Sequence, residues 1–199
     1  VCNAQQGSTS GSGNYEYEEE VIISATATED YHFVRWSDGV TTNPRTITVT
    51  ADATYTAIFD INTFVINVSV NDTLRGVATG SGVYDKHTEV NLSATANYGY
   101  HFEKWNDENT DNPRTIVVTE DANYTAQFVP NKYIITAESS DANKGYIEGV
   151  GEYDYLTTAT LTAKANHGYE FVSWNDGNKE NPRNIEVTKD SAFTAEFQK

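Results

Sequence analysis

Apolar and polar residues alternate along most of the chain in short runs. In the middle of the chain the apolar members of these runs are Phe64, Ile66 and Val68, then Val90, Leu92, Ala94 and Ala96, then Ile116 and Val118, and finally Tyr124, Ala126 and Phe128. A period of two is typical of β-strands with one buried face. No stretch places apolar residues at helical spacing over a useful length. The pattern therefore predicts an all-β fold of short strands joined by turns rich in Gly, Asn and Asp.

Landmark residues recur at a fixed interval of 69 residues. This interval separates Trp36, Trp105 and Trp174 from one another. It also relates Pro44, Pro113 and Pro182, and likewise Phe59, Phe128 and Phe197. A constant interval without insertions indicates repeated structural units. We therefore predict three tandem modules at residues 1–61, 62–130 and 131–199, each with about five or six short strands.

The first copy is about eight residues shorter than the others, because it lacks a counterpart of residues 64–68. A missing strand leaves a gap or an unpaired edge in a sheet, so we expect an upstream segment of a longer parent chain to supply it. Only residues 60–63 and 129–132 link the copies, and linkers this short do not act as flexible tethers. The sequence thus predicts an elongated, semi-rigid array.

The formal net charge of −16 at pH 7 disfavours two classes of partner. Nucleic-acid phosphates and anionic lipids repel such a chain. No apolar run approaches the length of a membrane-spanning helix. Cys2 is the only cysteine, so it has no internal disulfide partner, and its alignment with Asn71 and Ser140 places it in a predicted turn. We expect a soluble monomer that binds no nucleic acid and does not insert into membranes.

Each copy carries a cluster of large aromatic residues. The clusters comprise Phe33, Trp36 and Phe59; Phe102, Trp105 and Phe128; and Phe171, Trp174 and Phe197. Such rings could form a platform for sugar stacking or the core of each module. The core interpretation is favoured, because every module needs a core and the strands offer few other large apolar side chains.

An Asn-Pro-Arg sequence opens a predicted strand in every copy. Proline is tolerated at the first position of a strand, and asparagine before it suits a turn. The arginines of this sequence are Arg45, Arg114 and Arg183. A carboxylate ligand could bind them, but stacking on an aromatic ring or pairing with a nearby acid is the favoured interpretation.

The sequence indicates no catalytic residue, cofactor or metal site. The histidines His32, His87, His101 and His167 lack metal-ligand spacing, and the register of His32 and His101 holds Glu170 in the third copy. Thr9 stands where a nucleophile elbow needs serine, and the Gly-x-Gly sequences precede strands instead of a helix. Residues 106–112 are rich in oxygen ligands that suit calcium, but they lack EF-hand spacing. A solvated turn is the favoured interpretation of that segment.

Three tyrosines lie outside the shared core pattern: Tyr17 and Tyr155 in one register, and Tyr146 in another. Exposed rings at these positions could stack on glycans or pack against a neighbouring module. The sequence does not distinguish these alternatives.

The repeated motifs together resemble the divergent internalin-type B-repeat family. They are Gly-x-Gly-x-Tyr, a strand ending in Ala-x-Ala, Gly-Tyr-x-Phe-x-x-Trp, Asn-Pro-Arg-x-Ile-x-Val-Thr and Tyr-Thr-Ala-x-Phe, and the match is fullest in residues 62–129 and 131–199. The first copy departs from the pattern at Asp30, where the others have Gly99 and Gly168, and the second departs at Glu108. The resemblance implies β-grasp-like modules of extracellular or cell-surface bacterial proteins, often adhesins, with no catalytic residues to carry over.

Two functions follow from this resemblance and from the charge. The favoured one is a non-catalytic stalk or spacer that projects a binding domain from the cell. The alternative is a module that binds a glycan or a host or matrix protein through exposed tyrosines, with repetition increasing the avidity.

Overall fold

The structure is a computed structural model that describes residues 3–199. Cys2 lies outside the described residues. The described part of the chain contains nineteen strands and no helix, which confirms the all-β prediction. Its contacts divide it into two compact units. The first unit comprises the described residues up to Val68 with Gly80–Leu92 and Pro113–Asn123, and the second comprises Ser69–Thr79, Ser93–Asn112 and Tyr124–Lys199.

The strands follow one another with the same spacing in the three repeats. The first repeat has β1 (Gly7–Ser10), β2 (Glu20–Ala27), β3 (Tyr31–Trp36), β4 (Arg45–Thr48) and β5 (Ala57–Ile61). The second has β6 (Thr63–Val70), β7 (Gly76–Thr79), β8 (Gly82–Asp85), β9 (Glu89–Ala96), β10 (Tyr100–Trp105), β11 (Arg114–Val117) and β12 (Ala122–Pro130). The third has β13 (Lys132–Ser139), β14 (Gly145–Glu148), β15 (Gly151–Asp154), β16 (Thr158–Ala165), β17 (Glu170–Trp174), β18 (Arg183–Glu186) and β19 (Ser191–Gln198).

The third repeat is built from two sheets. One has the strand order β15-β13-β19-β17, and the other has the order β14-β16-β18. At the centre of the first sheet β13 runs parallel to β19, whereas β13 and β15 are antiparallel. The β-grasp-like topology that the resemblance implies stays a prediction. The strands of the second repeat show the same two orders, β10-β12-β6-β8 and β11-β9-β7.

The core of the third repeat draws on both sheets. It consists of Ile135, Ala159, Leu161, Ala163, Trp174, Val187, Ala195 and Phe197. Ala159, Leu161 and Ala163 occupy alternating positions of β16, and Ala195 and Phe197 occupy alternating positions of β19, as the period-two pattern predicts. Ile135 lies in β13, Trp174 ends β17, and Val187 follows β18. Their side chains are removed from water, and burial of this kind is the main favourable term in folding.

A β-bulge allows the Phe-x-x-Trp motif to turn both rings into the core. Residues three apart on a regular strand point to opposite faces. In β17 the register shifts between Phe171 and Ser173, so that Phe171 pairs with Phe197 and Trp174 pairs with Ala195 on β19. The same shift occurs between Phe33 and Arg35 and between Phe102 and Lys104. One inserted residue therefore places both aromatic side chains on one face.

The first repeat has fewer strands than the other two. Its sheets have only the orders β1-β2-β4 and β3-β5. Within the described chain, residues 13–16 and 53–56 form no strand, although their counterparts in the third repeat are β15 and the first half of β19. Both counterparts pair with β13. The loss of one strand from the pattern is therefore accompanied by the loss of strand structure on both sides of it.

Candidate functional site

The three tryptophans are buried inside their repeats. Trp36, Trp105 and Trp174 are at most 1% exposed. Each indole Nε1 donates a hydrogen bond to a backbone carbonyl six residues later, namely that of Thr42, Asp111 or Glu180. Phe59, Phe128 and Phe197 are also buried, whereas Phe33, Phe102 and Phe171 are half-buried against the tryptophans. The indoles cannot serve as a sugar-stacking platform, because no ligand ring can reach their faces.

Arg183 links the core to the turn that follows Trp174. Its guanidinium group lies 4.5 Å from the ring centre of Phe193 and 5.7 Å from that of Trp174. Nη1 and Nη2 donate to the two carboxylate oxygens of Asp176 at 3.0 and 2.8 Å. Arg45 in the first repeat is held in the same way by Asp38. In both repeats the arginine hydrogen bonds hold the pKa of the aspartate below its usual value. These arginines are already occupied by internal partners.

The segment around residues 106–112 is a hydrogen-bonded turn. The Asn109 amide donates to Oδ1 of Asp107, and the Asp111 amide donates to Oδ1 of Asn109. No group of three or more His, Cys, Asp or Glu residues among residues 3–199 is arranged to hold a metal ion. The same part of the chain has no helix that is long and apolar enough to cross a membrane.

Each of the two linkers between consecutive repeats contains an asparagine whose backbone is hydrogen-bonded on both sides. Within the first unit the backbone N–H of Asn62 donates to the backbone carbonyl of Asp30 at 2.8 Å. The backbone carbonyl of Asn62 accepts a hydrogen bond from the backbone N–H of Lys86, also at 2.8 Å. Within the second unit Asn131 makes the same two bonds with Gly99 and Tyr155. Each asparagine therefore bonds to the repeat before it and to the repeat after it.

A histidine supports each of these asparagines. Nδ1 of His32 lies 3.1 Å from Oδ1 of Asn62, and Nδ1 of His101 lies 2.7 Å from Oδ1 of Asn131. Since an amide oxygen only accepts, the imidazole donates in both cases. The recurrence of the histidine in the first two copies is thus explained by the junction, where it positions the linker residue.

At the first junction, between the first and second repeats, charged side chains of the two repeats contact each other. Nζ of Lys86 lies 2.7 Å from Oδ1 of Asp30 and 3.8 Å from Oε1 of Glu29, and Nε2 of His87 lies 3.2 Å from Oδ1 of Asp30. The hydrogen bonds from Lys86 and His87 hold the pKa of Asp30 below its ordinary value. Correspondingly, the Asp30 carboxylate raises the pKa of Lys86.

At the second junction, between the second and third repeats, aromatic side chains contact each other. The ring of Tyr155 meets Tyr98 and Tyr100 edge to face, with ring centres 5.7 and 5.4 Å apart. The ring centre of Tyr133 lies 6.2 Å from that of Tyr155, and the two rings are tilted by 60°. The Tyr98 hydroxyl also donates to the Thr188 carbonyl at 3.1 Å. Edge-to-face aromatic pairs of this kind are favourable beyond the area that they bury.

The three tyrosines singled out in the sequence therefore have different environments. Tyr155 is half-buried in the junction between the second and third repeats. Tyr17 stands at the same register of the first repeat and is 72% exposed. Tyr146 on β14 is 54% exposed and lies opposite Lys164. Tyr17 belongs to the first compact unit, whereas Tyr146 and Tyr155 belong to the second.

A model of one repeat family matches nearly the whole chain in three consecutive copies. The model describes the divergent InlB B-repeat domain and matches residues 1–63, 66–132 and 135–199. The chain belongs to the divergent InlB B-repeat family. This confirms the family resemblance and the three tandem copies. The family is a repeat-domain family associated with bacterial surface proteins and is not a known enzyme family.

No curated protein matches the chain. Among solved structures, the TIE protein of Bacillus anthracis is similar at 11% sequence identity, with a TM-score of 0.37. The match covers 96% of this chain and 44% of the TIE protein. The chain thus spans less than half the length of that protein.

The sequence located the short linkers between the B-repeats, but it did not predict which side chains of neighbouring repeats contact each other there. The register that contacts the preceding repeat holds Lys86 in one copy and Tyr155 in the next, so no shared residue type marks it. The asparagines Asn62 and Asn131 do recur at the 69-residue interval inside the short linkers. Their recurrence, together with that of His32 and His101, is the signal in the sequence that points to this site.

Proposed function

We propose that this chain is a non-catalytic spacer and interaction segment of a bacterial cell-surface protein, which supports a binding domain at a distance from the cell. The observation that carries the proposal is the junction built on Asn62 and Asn131. Each asparagine bonds to two consecutive B-repeats through its backbone. A hydrogen-bonded linker restricts rotation between neighbouring repeats, whereas an unbonded Gly/Ser linker leaves them free.

The repeat boundaries and the array shape belong to this proposal. We infer that residues 1–61, 62–130 and 131–199 act as three structural modules in an elongated monomer. The inference is supported by the side-chain contacts at the two junctions, which are an ion pair between Asp30 and Lys86 at the first and a ring contact of Tyr155 at the second. Both hold a side chain of one repeat against the repeat before it, as expected in repeat arrays whose neighbours stabilise each other.

Small-angle X-ray scattering of the full chain tests the spacer function. A compact domain of this length has a radius of gyration of roughly 16 Å, so we expect a clearly larger value at monomer mass. A variant with a six-residue Gly/Ser insertion after Asn131 serves as the control and is expected to broaden the distance distribution. A compact radius for the original chain, or identical distributions for both chains, would refute the proposal.

A second candidate function is binding of a glycan or of a host or matrix protein. It is favoured by the exposed rings of Tyr17 and Tyr146, since solvent-exposed tyrosines are common anchors in recognition surfaces. A binding screen against glycans and matrix proteins, repeated with Tyr17→Ala and Tyr146→Ala, tests this function. The spacer function alone predicts no saturable ligand, whereas the binding function predicts one whose affinity falls in a tyrosine variant.

A further inference from the structure

The first repeat contains an open groove in the place that a strand occupies in the third repeat. The groove has a volume of about 660 Å³ and is lined by residues 9–15 and 47–55 with Val21, Ile23 and Trp36. The counterparts of residues 13–16 and 53–56 in the third repeat are β15 and the first half of β19, which flank β13 on its two sides. The groove therefore corresponds to the position of β13.

The groove leaves part of the hydrophobic core of the first repeat uncovered. The buried cluster of this repeat holds only Ile23, Ala25, Trp36, Ala57 and Phe59. The third repeat adds three members to the equivalent set, namely Ile135 of β13 and the fully buried Ala159 and Val187. Val21 and Val49 stand at the registers of Ala159 and Val187 and are only half-buried. A side chain in the place of Ile135 would bury both.

A polar anchor for a strand is present at the edge of the groove. In the third repeat Oδ1 of Asp190 accepts the amide of Ile134 in β13 at 2.8 Å, and Asp121 accepts the amide of Val65 in β6 at 2.7 Å. Asp52 has the same register in the first repeat and lines the groove. A carboxylate that accepts a backbone amide forms a charge-assisted hydrogen bond, which is stronger than a neutral one.

One hydrogen bond at the opposite edge of the groove is the same as in a filled repeat. The hydroxyl of Tyr15 donates to the Gly11 carbonyl at 3.1 Å. Tyr153 makes the equivalent bond to Gly149 at 2.7 Å in the third repeat, where β13 is in place. Because this contact is made before a strand binds, it adds nothing to the ordering cost of binding.

We propose that this groove is an acceptor site for an extended peptide strand of the β13 type. The strand would run parallel to residues 53–57 and antiparallel to residues 13–16, with the amide of its third residue bonded to Asp52. Its second, fourth and sixth residues would be apolar, as Tyr133, Ile135 and Ala137 are in β13. The fourth residue would cover Val21 and Val49. Addition of a strand to a sheet edge combines main-chain bonds for affinity with alternating side chains for specificity.

Hydrogen exchange of the full chain with an added peptide tests this site. The probe is a blocked synthetic peptide with the sequence of Lys132–Ser139, and the control peptide carries Asp at the positions of Tyr133 and Ile135. We expect amides in residues 13–16 and 53–56 to exchange roughly tenfold more slowly at a peptide concentration ten times the Kd. The control peptide should leave their exchange unchanged. Residues 151–154 and 191–194 of the same chain report on an already filled site.

Two variants and one fusion make the result decisive. Asp52→Ala is expected to weaken peptide binding at least tenfold, whereas Asp190→Ala, the matched change in the third repeat, should leave it unaltered. A fusion that carries the strand sequence ahead of residue 1 should protect residues 13–16 and 53–56 without added peptide. The proposal is overturned if neither millimolar peptide nor the fusion protects them. It is also overturned if protection depends on protein concentration and accompanies a dimer, because the occupant would then be a second copy of the chain.

Discussion

The Asp30 carboxylate of the first repeat lies 2.7 Å from the Nζ atom of Lys86 in the second repeat. The hydrogen bond from Lys86 is the largest cause of the lowered Asp30 pKa, and that from His87 is the next. A carboxylate whose pKa is lowered by folding stabilises the folded state above its ordinary pKa of 3.8. That stabilisation is lost as the pH falls through the lowered value.

Removal of the Lys86 charge should therefore change the titration of Asp30. In Lys86→Gln we expect the Asp30 pKa to rise towards 3.8, whereas the Asp38 pKa stays low because Arg45 still binds it. Carboxyl chemical shifts followed by NMR between about pH 2 and 6 measure both groups in one sample. An unchanged Asp30 pKa would show that the charged contact does not persist in solution.

Tyr155 and Tyr17 provide a matched test of the aromatic junction. Tyr155→Ala removes the edge-to-face contacts with Tyr98 and Tyr100, so we expect the free energy of unfolding to fall by about 1–3 kcal/mol. Tyr17→Ala changes the same register where the ring is 72% exposed, and its effect should stay within about 0.5 kcal/mol. Urea denaturation measures both variants, and equal losses would contradict a stabilising role of the junction.

Gly99 and Gly168 offer a second matched pair at that junction. Both adopt a positive φ, of 85° and 84° respectively, so alanine costs about 1–2 kcal/mol of backbone strain at either position. A Cβ atom at Gly99 would lie 2.3 Å from the Tyr155 ring, whereas one at Gly168 meets nothing within 4 Å. We therefore expect Gly99→Ala to destabilise the chain by roughly 1–3 kcal/mol more than Gly168→Ala. Differential scanning calorimetry compares them, and a difference near zero would mean that Tyr155 moves aside freely.

The fold could be predicted from the sequence where local alternation determines it. The strands β9 and β16 show an uninterrupted period of two, and the 69-residue interval identifies the three copies. The bulge in β17 could not be predicted, because Phe171 and Trp174 are three residues apart and regular alternation assigns them to opposite faces. Only their pairing with Phe197 and Ala195 reveals the inserted residue.

The site could not be predicted because its partners are distant in the sequence. Tyr155 lies against Tyr98, and Lys86 against Asp30, more than fifty residues away in each case. The alternation of a strand carries information about which face is buried, but none about which other repeat it meets. The absence of strand structure at residues 13–16 is not visible in their local sequence either, because their counterpart β15 pairs with β13, a separate segment of the chain.

The side chain of Asn181 hydrogen-bonds the backbone of β16 in the way that a neighbouring strand would. Its Oδ1 accepts the amide of Ala163 and its Nδ2 donates to the Ala163 carbonyl, both at 2.8 Å. Asn112 and Asn43 make the same pair of bonds to Ala94 and Ala25 in the other repeats. This arrangement explains why asparagine opens the Asn-Pro-Arg sequence in each copy.

Asn181→Ala should leave both backbone groups of Ala163 without a partner. Because Ala163 is only 5% exposed, each lost bond is expected to cost about 1–3 kcal/mol, so that the third repeat loses roughly 2–6 kcal/mol. Asn184→Ala is the control: Asn184 bonds Thr160 at the exposed surface, and its removal should cost no more than about 1 kcal/mol. Hydrogen exchange of β16 amides measures the local stability in both variants. Similar losses in the two would show that water replaces the Asn181 amide at Ala163, and the asparagine would then have no structural role in this strand.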